Sequence, residues 1–357
     1  MPLDERFELD LHAQRVVFGV GRIDDVAAEV AALGLRQVML VATGSAKAAA
    51  DRVSERLGPR VVARESEIVQ HVPEANVANT AQIVHETEAD GLVTIGGGSA
   101  TGLGKAVAVR TGLPLVAVPT TYAGSEATTT YGITGDQKAT ARDPNALPRV
   151  VVYDPALTTG MPRRLTASSG LNALAHCVEA LYGPRANPVA AGLAQQAIRS
   201  LASALPVAAD APDDLEARGQ ALVGAYLAGL SMELAGTALH HRLCHVIGGA
   251  RRVDHGELHA VLLPYVTAYN ASAAPEALGL AARALGADDA PAALRGLAEH
   301  LGAPTDLASI GVPADALDEI VERTVTAVGA ANPRRPDAPS LRRLLDDAYA
   351  GRPPGSY

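Results

Sequence analysis

Short apolar strands alternate with helix-period segments along the first 155 residues, and after Asp154-Pro155 the alternation stops. Arg15–Phe18, Gln37–Ala42, Arg60–Ala63, Gly91–Ile95, Leu113–Val118 and Arg149–Tyr153 read as strands. Asp24–Leu33, Ala46–Leu57 and Asn76–Ala89 read as helices, and another helix follows Ser99. Strands this short and this continuously apolar are covered on both faces, which calls for a parallel sheet between helices. Beyond the break, helical periodicity runs through Ser169–Tyr182, Pro188–Leu205, Asp214–Leu234, Thr237–Ile247 and Gly256–Tyr269 with no strand among them. The predicted fold is therefore an α/β domain over 1–158 followed by an all-helical domain over 159–357. A chain of 357 residues exceeds one ordinary core, in keeping with two domains. Trp is absent and aromatics make up 3%, so Ala, Val and Leu must fill that core, which favours closely packed helices.

Composition also excludes partners. The net charge is −9 and no Lys/Arg run marks a nucleic-acid footprint. No apolar run reaches the roughly 18 residues that a membrane span needs, so neither nucleic acid nor membrane is an expected partner. The opening Met1-Pro-Leu-Asp-Glu-Arg has no basic-then-apolar signal pattern. Two cysteines, Cys177 and Cys244, form no disulfide framework and point to a reducing, cytoplasmic compartment.

Gly96-Gly97-Gly98-Ser99 stands between a predicted strand and a predicted helix. Backbone N–H groups at a helix N-terminus bind pyrophosphate, and glycine lets the phosphate approach closely. A tight turn alone would also use glycine, but three in succession at this place favour a ligand. Ser99 can cap the helix or donate to phosphate. The pattern is not the GxGxxG fingerprint. A second loop, Pro119-Thr120-Thr121-Tyr122-Ala123-Gly124-Ser125-Glu126, follows the next strand. Ligands of open α/β sheets bind outside the carboxyl ends of strands. Gly97, Gly98, Ser99, Thr120, Thr121 and Ser125 are accordingly the expected cofactor contacts of a dinucleotide-binding domain, followed by a substrate and catalytic domain, and Lys138 is also expected among the contacts. The end of the second strand, Val41-Ala42-Thr43-Gly44, lacks the acidic residue that would hold a ribose 2′-hydroxyl and repel a 2′-phosphate, so both NADH and NADPH are expected.

Asn172 and His176 are four apart in a helical stretch, as are His241 and His245, and His255 follows ten residues later. Residues four apart share a helix face. One buried histidine is most often a packing residue; four so arranged suit a metal or proton-transfer site. Cys177 and Cys244 point off that face and read as core fillers.

These residues resemble the iron-containing alcohol dehydrogenases. So do GGGSATGLGKA (96–106), PTTYAGSEAT (119–128), SGLNALAHCVEALY (169–182), ALHHRLCHVIGG (238–249) and Asn332-Pro333-Arg334, and the resemblance spans essentially the whole chain. It implies the dehydroquinate synthase-like fold, with His176, His241 and His255 at metal-ligand positions and His245 at a proton-relay position. At two positions this chain departs from the family: Asn172 replaces its ligand Asp, and Gly102 stands where it has Asp. Both departures resemble the maleylacetate reductase branch. That branch has Pro where Asp254 stands, His where Tyr265 stands, and aromatics where Ala330-Ala331 stand, changes expected to lie around the substrate.

The resemblance implies NAD(P)H-dependent reduction of the conjugated double bond of maleylacetate to 3-oxoadipate in aromatic catabolism, by a homodimer. Hydride addition to an enone spreads charge over an enolate, which histidine hydrogen bonds can stabilise. Loss of a ligand carboxylate at Asn172 therefore leads us to expect a site that requires no metal. His176, His241, His245, His255 and Asn172 are its expected catalytic residues, with His176, His241 and His255 the ligands if a metal is bound. A dicarboxylate substrate needs cations, and Arg142, Arg242, Arg251 and Lys138, with Tyr122, are the candidates. Two other readings compete: a Zn- or Fe-dependent alcohol dehydrogenase or a reductase with a secondary-metabolite substrate, and a nucleotide-binding protein without catalysis.

Overall fold

The computed structural model describes residues 6–135, 138–251, 253–328 and 331–357, with the side chains at 138, 249–251 and 328 outside that description. Two compact units emerge from the contacts: His12–Met161 with Pro212–Leu222, and Met1–Leu11 with Pro162–Ala211 and Val223–Tyr357.

The first unit holds β1 (Arg15–Phe18), α1 (Val26–Ala32), β2 (Val38–Ala42), α2 (Lys47–Leu57), β3 (Val61–Glu65), α3 (Glu74–Glu86), β4 (Gly91–Gly96), α4 (Gly98–Thr111), β5 (Leu115–Pro119), β6 (Thr130–Thr134), β7 (Lys138–Arg142) and β8 (Val150–Tyr153). Six strands form a parallel sheet in the order β1-β8-β5-β4-β2-β3. Its faces follow from the two-residue period of a strand. Val38, Leu40, Val93, Ile95, Val116 and Val118 turn to one side and pack with Val26, Val30 and Val53 of α1 and α2. Met39, Val41, Leu92 and Leu115 turn to the other and pack with Val77, Leu103 and Val107 of α3 and α4. Apolar runs without alternation are thus what a sheet covered twice requires. The antiparallel pair β6–β7 is not anticipated by the sequence. Its strands, TYGIT and KATAR, are polar, and all of β6 is half-buried.

The second unit holds α5 (Arg163–Ala180), α6 (Pro188–Asp210), most of α7 (Leu215–Ala235), α8 (Leu239–Arg251), α9 (His255–Asn270), α10 (Pro275–Leu285), α11 (Ala290–Leu301), α12 (Leu317–Val328) and α13 (Ala338–Ala350), and no strand among its described residues. Small residues let these helices approach. A Cβ on Gly170 of α5 would stand 2.4 Å from Leu205 of α6. Buried α5 also packs on α9, and the face of α8 made by Leu239, Leu243 and Ile247 closes on Leu258, Leu262 and Tyr265 of α9. Asp254 caps α9 by accepting the Glu257 N–H at 3.1 Å, which places His255 in the first turn. Among the described residues no single helix is long and apolar enough to cross a membrane.

Candidate active site

Strand β4 runs directly into Gly96-Gly97, and α4 begins at Gly98. Gly96 has φ 149°, where L residues rarely go, and a Cβ there would lie 2.8 Å from Thr43 Oγ1. A Cβ on Gly97 would lie 2.8 Å from Thr121 Cγ2. The two expected loops are therefore in contact, because β4 and β5 are neighbours in the sheet. First-turn N–H groups of α4 have no intrahelical partner, and Gly98 is exposed above them. Gly97, not Ser99, is the N-cap of α4, and no side chain caps it. Ser99, Thr120, Thr121 and Ser125 are half-buried.

Two residues outside the expected set hold this arrangement. Lys105 of α4 is buried and donates to Ser125 O at 2.6 Å, Thr128 O at 2.8 Å and Thr128 Oγ1 at 2.9 Å, tying the second loop to the helix that starts at the first. Glu126 is buried beside it and accepts the Tyr153 hydroxyl at 2.6 Å. Burial pushes the Glu126 carboxyl up, against the pull of Tyr153, its own backbone N–H and Lys105. Tyr122, expected at the substrate, is fully buried, and its hydroxyl accepts from Arg218 Nη1 at 2.9 Å. Its aromatic ring is core, so the expected role does not fit its place.

In the helical unit, α5, α8 and α9 gather histidines. Asn172, His176 and Glu179 follow one another along α5 at the spacing of a single face. His176 stacks on His241 with ring centroids 5.0 Å apart, and His245 stacks on His255 at 5.6 Å. His241 and His245 are 6.5 Å apart. The sequence reading missed three members. His259 is central: its Nδ1 lies 2.8 Å from His240 Nε2, and its Nε2 lies 3.1 Å from His255 Nε2. Glu179, fully buried, accepts from His241 Nδ1 at 2.6 Å, His240 N at 2.6 Å and Ala238 N at 2.9 Å. Burial alone would raise its carboxyl, but His241, His240 and the backbone N–H groups outweigh that and hold it below the ordinary range. Signals for these residues existed, since Glu179 lies one turn beyond His176 and His259 one turn beyond His255.

Burial, followed by neighbouring imidazoles, pushes His176 and His259 far below the ordinary histidine range. Burial likewise lowers His240 to about 3. Neutral imidazole is the form that ligates a metal. His241 donates Nδ1–H to Glu179, which turns Nε2 away from the carboxylate, and that buried atom has no hydrogen-bond partner among the described residues. His176 Nδ1 is likewise buried without one. A carboxylate on one ring nitrogen and an open lone pair on the other is the usual setting of a metal-bound histidine. The donor set thus fits a divalent ion. His240, Cys244 and His259 form a further buried group whose ligand atoms lie within 4.8 Å of one another, and Cys244 also packs in the apolar core of the helical unit. Cys177 is buried in the core, with its thiol 3.2 Å from Ala173 O and pushed up by burial.

Two of the four expected cations have described side chains. Arg142 is exposed on β7 with Nε 3.3 Å from Thr129 Oγ1, and Arg242 is exposed on α8. Lys138 and Arg251 have side chains outside the described residues. Tyr265, expected near substrate, is instead core: its hydroxyl donates to Arg352 O at 2.8 Å and accepts from Arg295 Nη1 at 2.7 Å.

Known proteins share this sequence pattern and fold. A family model described as iron-containing alcohol dehydrogenase matches residues 13–155, and one described as the C-terminal part of the Fe-containing alcohol dehydrogenase family matches 166–349. The chain is similar to the maleylacetate reductase of Burkholderia cepacia, at 43% identity over 97% of this chain and 98% of that one. A crystal structure called a putative alcohol dehydrogenase from Ralstonia eutropha JMP134 superposes with a TM-score of 0.96 at 44% identity, covering 99% and 100% of the two chains. That of maleylacetate reductase from Agrobacterium tumefaciens gives 0.92 at 41%, covering 98% and 100%. These matches overturn the expectation that no metal is required. Iron-containing alcohol dehydrogenases imply an iron or other metal ion together with NAD(P), and loss of one carboxylate at Asn172 does not remove the buried imidazoles that would hold it. Matched by both models across nearly its whole length, this chain belongs to the iron-containing alcohol dehydrogenase family.

Proposed function

We propose that this chain uses NAD(P)H to reduce the conjugated double bond of maleylacetate, giving 3-oxoadipate in the breakdown of aromatic compounds. The observation that carries the reading is likeness over 97% of the chain to a protein named maleylacetate reductase, on a site that retains the buried histidines. The enzyme is read as a cytoplasmic homodimer acting on a dicarboxylate.

Within this reading Gly97, Gly98 and the α4 N–H groups take the pyrophosphate, flanked by Thr120, Thr121, Ser125 and Ser99. A bound reduced nicotinamide supplies the hydride, and a bound metal ion supplies a Lewis acid. His176, His241 and His255 would hold the ion. Glu179 fixes the His241 ring so that Nε2 faces away from the carboxylate. Asn172 presents a neutral amide where a carboxylate would repel a doubly charged substrate. His245, which stacks on His255, would move a proton to the carbon next to the ketone after hydride addition. Arg142, Arg242, Arg251 and Lys138 are the cations from which the carboxylate contacts would come.

The test is incubation of purified protein with maleylacetate and NADH or NADPH, following cofactor oxidation and 3-oxoadipate by mass spectrometry. Stoichiometric product formation supports the reading. Oxidation of simple alcohols with NAD(P)⁺, without turnover of maleylacetate, would move the assignment to an alcohol dehydrogenase.

A further inference from the structure

A cavity of about 310 Å³ opens where β2 and β3 end, walled by Thr43, Gly44, Lys47, Asp51, Arg64 and Glu65 among others. It adjoins the glycine turn. The Thr43 N–H donates to Ile95 O at 3.2 Å, and Thr43 Oγ1 is the atom that a Cβ on Gly96 would strike. In an open parallel sheet a dinucleotide lies across the carboxyl ends of the strands, and its adenosine ribose reaches the end of the second strand. Here that strand is β2, directly beside β4. The cavity wall carries two cations and two carboxylates. Asp51 binds both cations, with Lys47 Nζ at 2.5 Å and Arg64 Nη1 at 2.8 Å. Those bonds, Lys47 first, hold the Asp51 carboxyl below its ordinary range. Glu65 is occupied locally, accepting the Glu67 N–H at 2.7 Å.

With the adenosine ribose at this cavity, where an open parallel sheet of this kind puts it, we propose that Lys47, Arg64 and Asp51 form a charge-balanced clamp that sets the choice between a 2′-hydroxyl and a 2′-phosphate. The inference rests on the NAD(P)-dependent reading and assigns specificity within it. With no ligand phosphate, Asp51 satisfies both cations. A 2′-phosphate offers them a doubly charged acceptor of the kind that Arg binds bidentately. Exposed ion pairs are weak enough to exchange partners in this way, and Lys47 and Arg64 are both largely exposed. Asp51 at the same time weakens the attraction for phosphate, so the balanced cavity accepts either cofactor.

The experiment titrates full-length protein calorimetrically with adenosine 2′,5′-bisphosphate and with 5′-AMP, alongside kinetics with NADPH and NADH. Asp51→Asn should raise the bisphosphate-to-AMP affinity ratio about tenfold, and the double change Lys47→Ala with Arg64→Ala should lower it about tenfold. The ratio of kcat/KM for NADPH to that for NADH should move the same way in each variant. Ratios that move by less than about twofold in both variants, with 5′-AMP still bound, overturn the clamp while leaving the dinucleotide reading intact. Wild-type protein that binds neither nucleotide overturns both.

Discussion

Glu179 Oε2 and His241 Nδ1 lie 2.6 Å apart in a fully buried pair, and the same carboxylate also receives the N–H groups of Ala238 and His240. One side chain of α5 therefore anchors the start of α8 and sets the tautomer of a histidine on it. In Glu179→Gln one oxygen becomes a donor and faces an N–H group. We expect a loss of about 1–3 kcal/mol in urea unfolding. We also expect metal affinity to fall about 10- to 100-fold, as when a histidine loses its orienting partner. Unchanged metal content and stability would show that the pair is incidental.

Metal removal should abolish turnover. Dialysis against a strong chelator is expected to lower kcat/KM at least about tenfold, with recovery on adding Fe²⁺ or Zn²⁺. Asn172→Asp adds a carboxylate to the α5 face of His176 and should raise metal affinity about tenfold. Elemental analysis paired with activity decides both. Full activity in protein stripped of metal would contradict the family-based assignment.

Gly97→Ala tests the contact between the two cofactor loops. The new methyl would stand 2.8 Å from Thr121 Cγ2, so Thr121 or its loop must shift. NADH affinity, read by fluorescence titration, should fall about tenfold, and unfolding should lose about 1 kcal/mol. Wild-type affinity in the variant would mean that loop spacing does not govern binding.

Glu126 carries a pH signature. Its folded carboxyl is raised above the ordinary value of 4.5, chiefly by burial. Its contribution to stability is therefore fully present below 4.5 and is lost as pH rises through the raised folded value. Glu126→Gln keeps an acceptor for Tyr153 and cannot ionise. Its Tm should gain on wild type as pH rises above 4.5. A Tm difference independent of pH would show that Glu126 does not titrate in this way.

Local pattern was enough for the backbone plan. The apolar runs at Val38–Ala42 and Leu115–Pro119 are buried throughout because helices cover both faces, a condition that composition alone expresses. Gly96-Gly97-Gly98 was legible because a strand-to-helix turn close to phosphate excludes side chains. His176, His241 and His245 showed through the four-residue period of a helix. The polar β6–β7 pair did not, since its strands lack the apolar alternation that marks a half-buried strand.

What the chain alone determined was which elements form and which types of side chain they carry. Tertiary structure decided which of those side chains meet. Glu179 and His241 are 62 residues apart, and nothing local to either marks the other as its partner. Tyr122 reads as an exposed loop residue until Arg218, 96 residues away, takes its hydroxyl in the core. Nothing local to Lys105 marks it for burial, and the Ser125–Thr128 turn closes over its ammonium. Burial and hydrogen bonding are properties of surroundings, and for these residues the surroundings come from distant segments that only folding brings together.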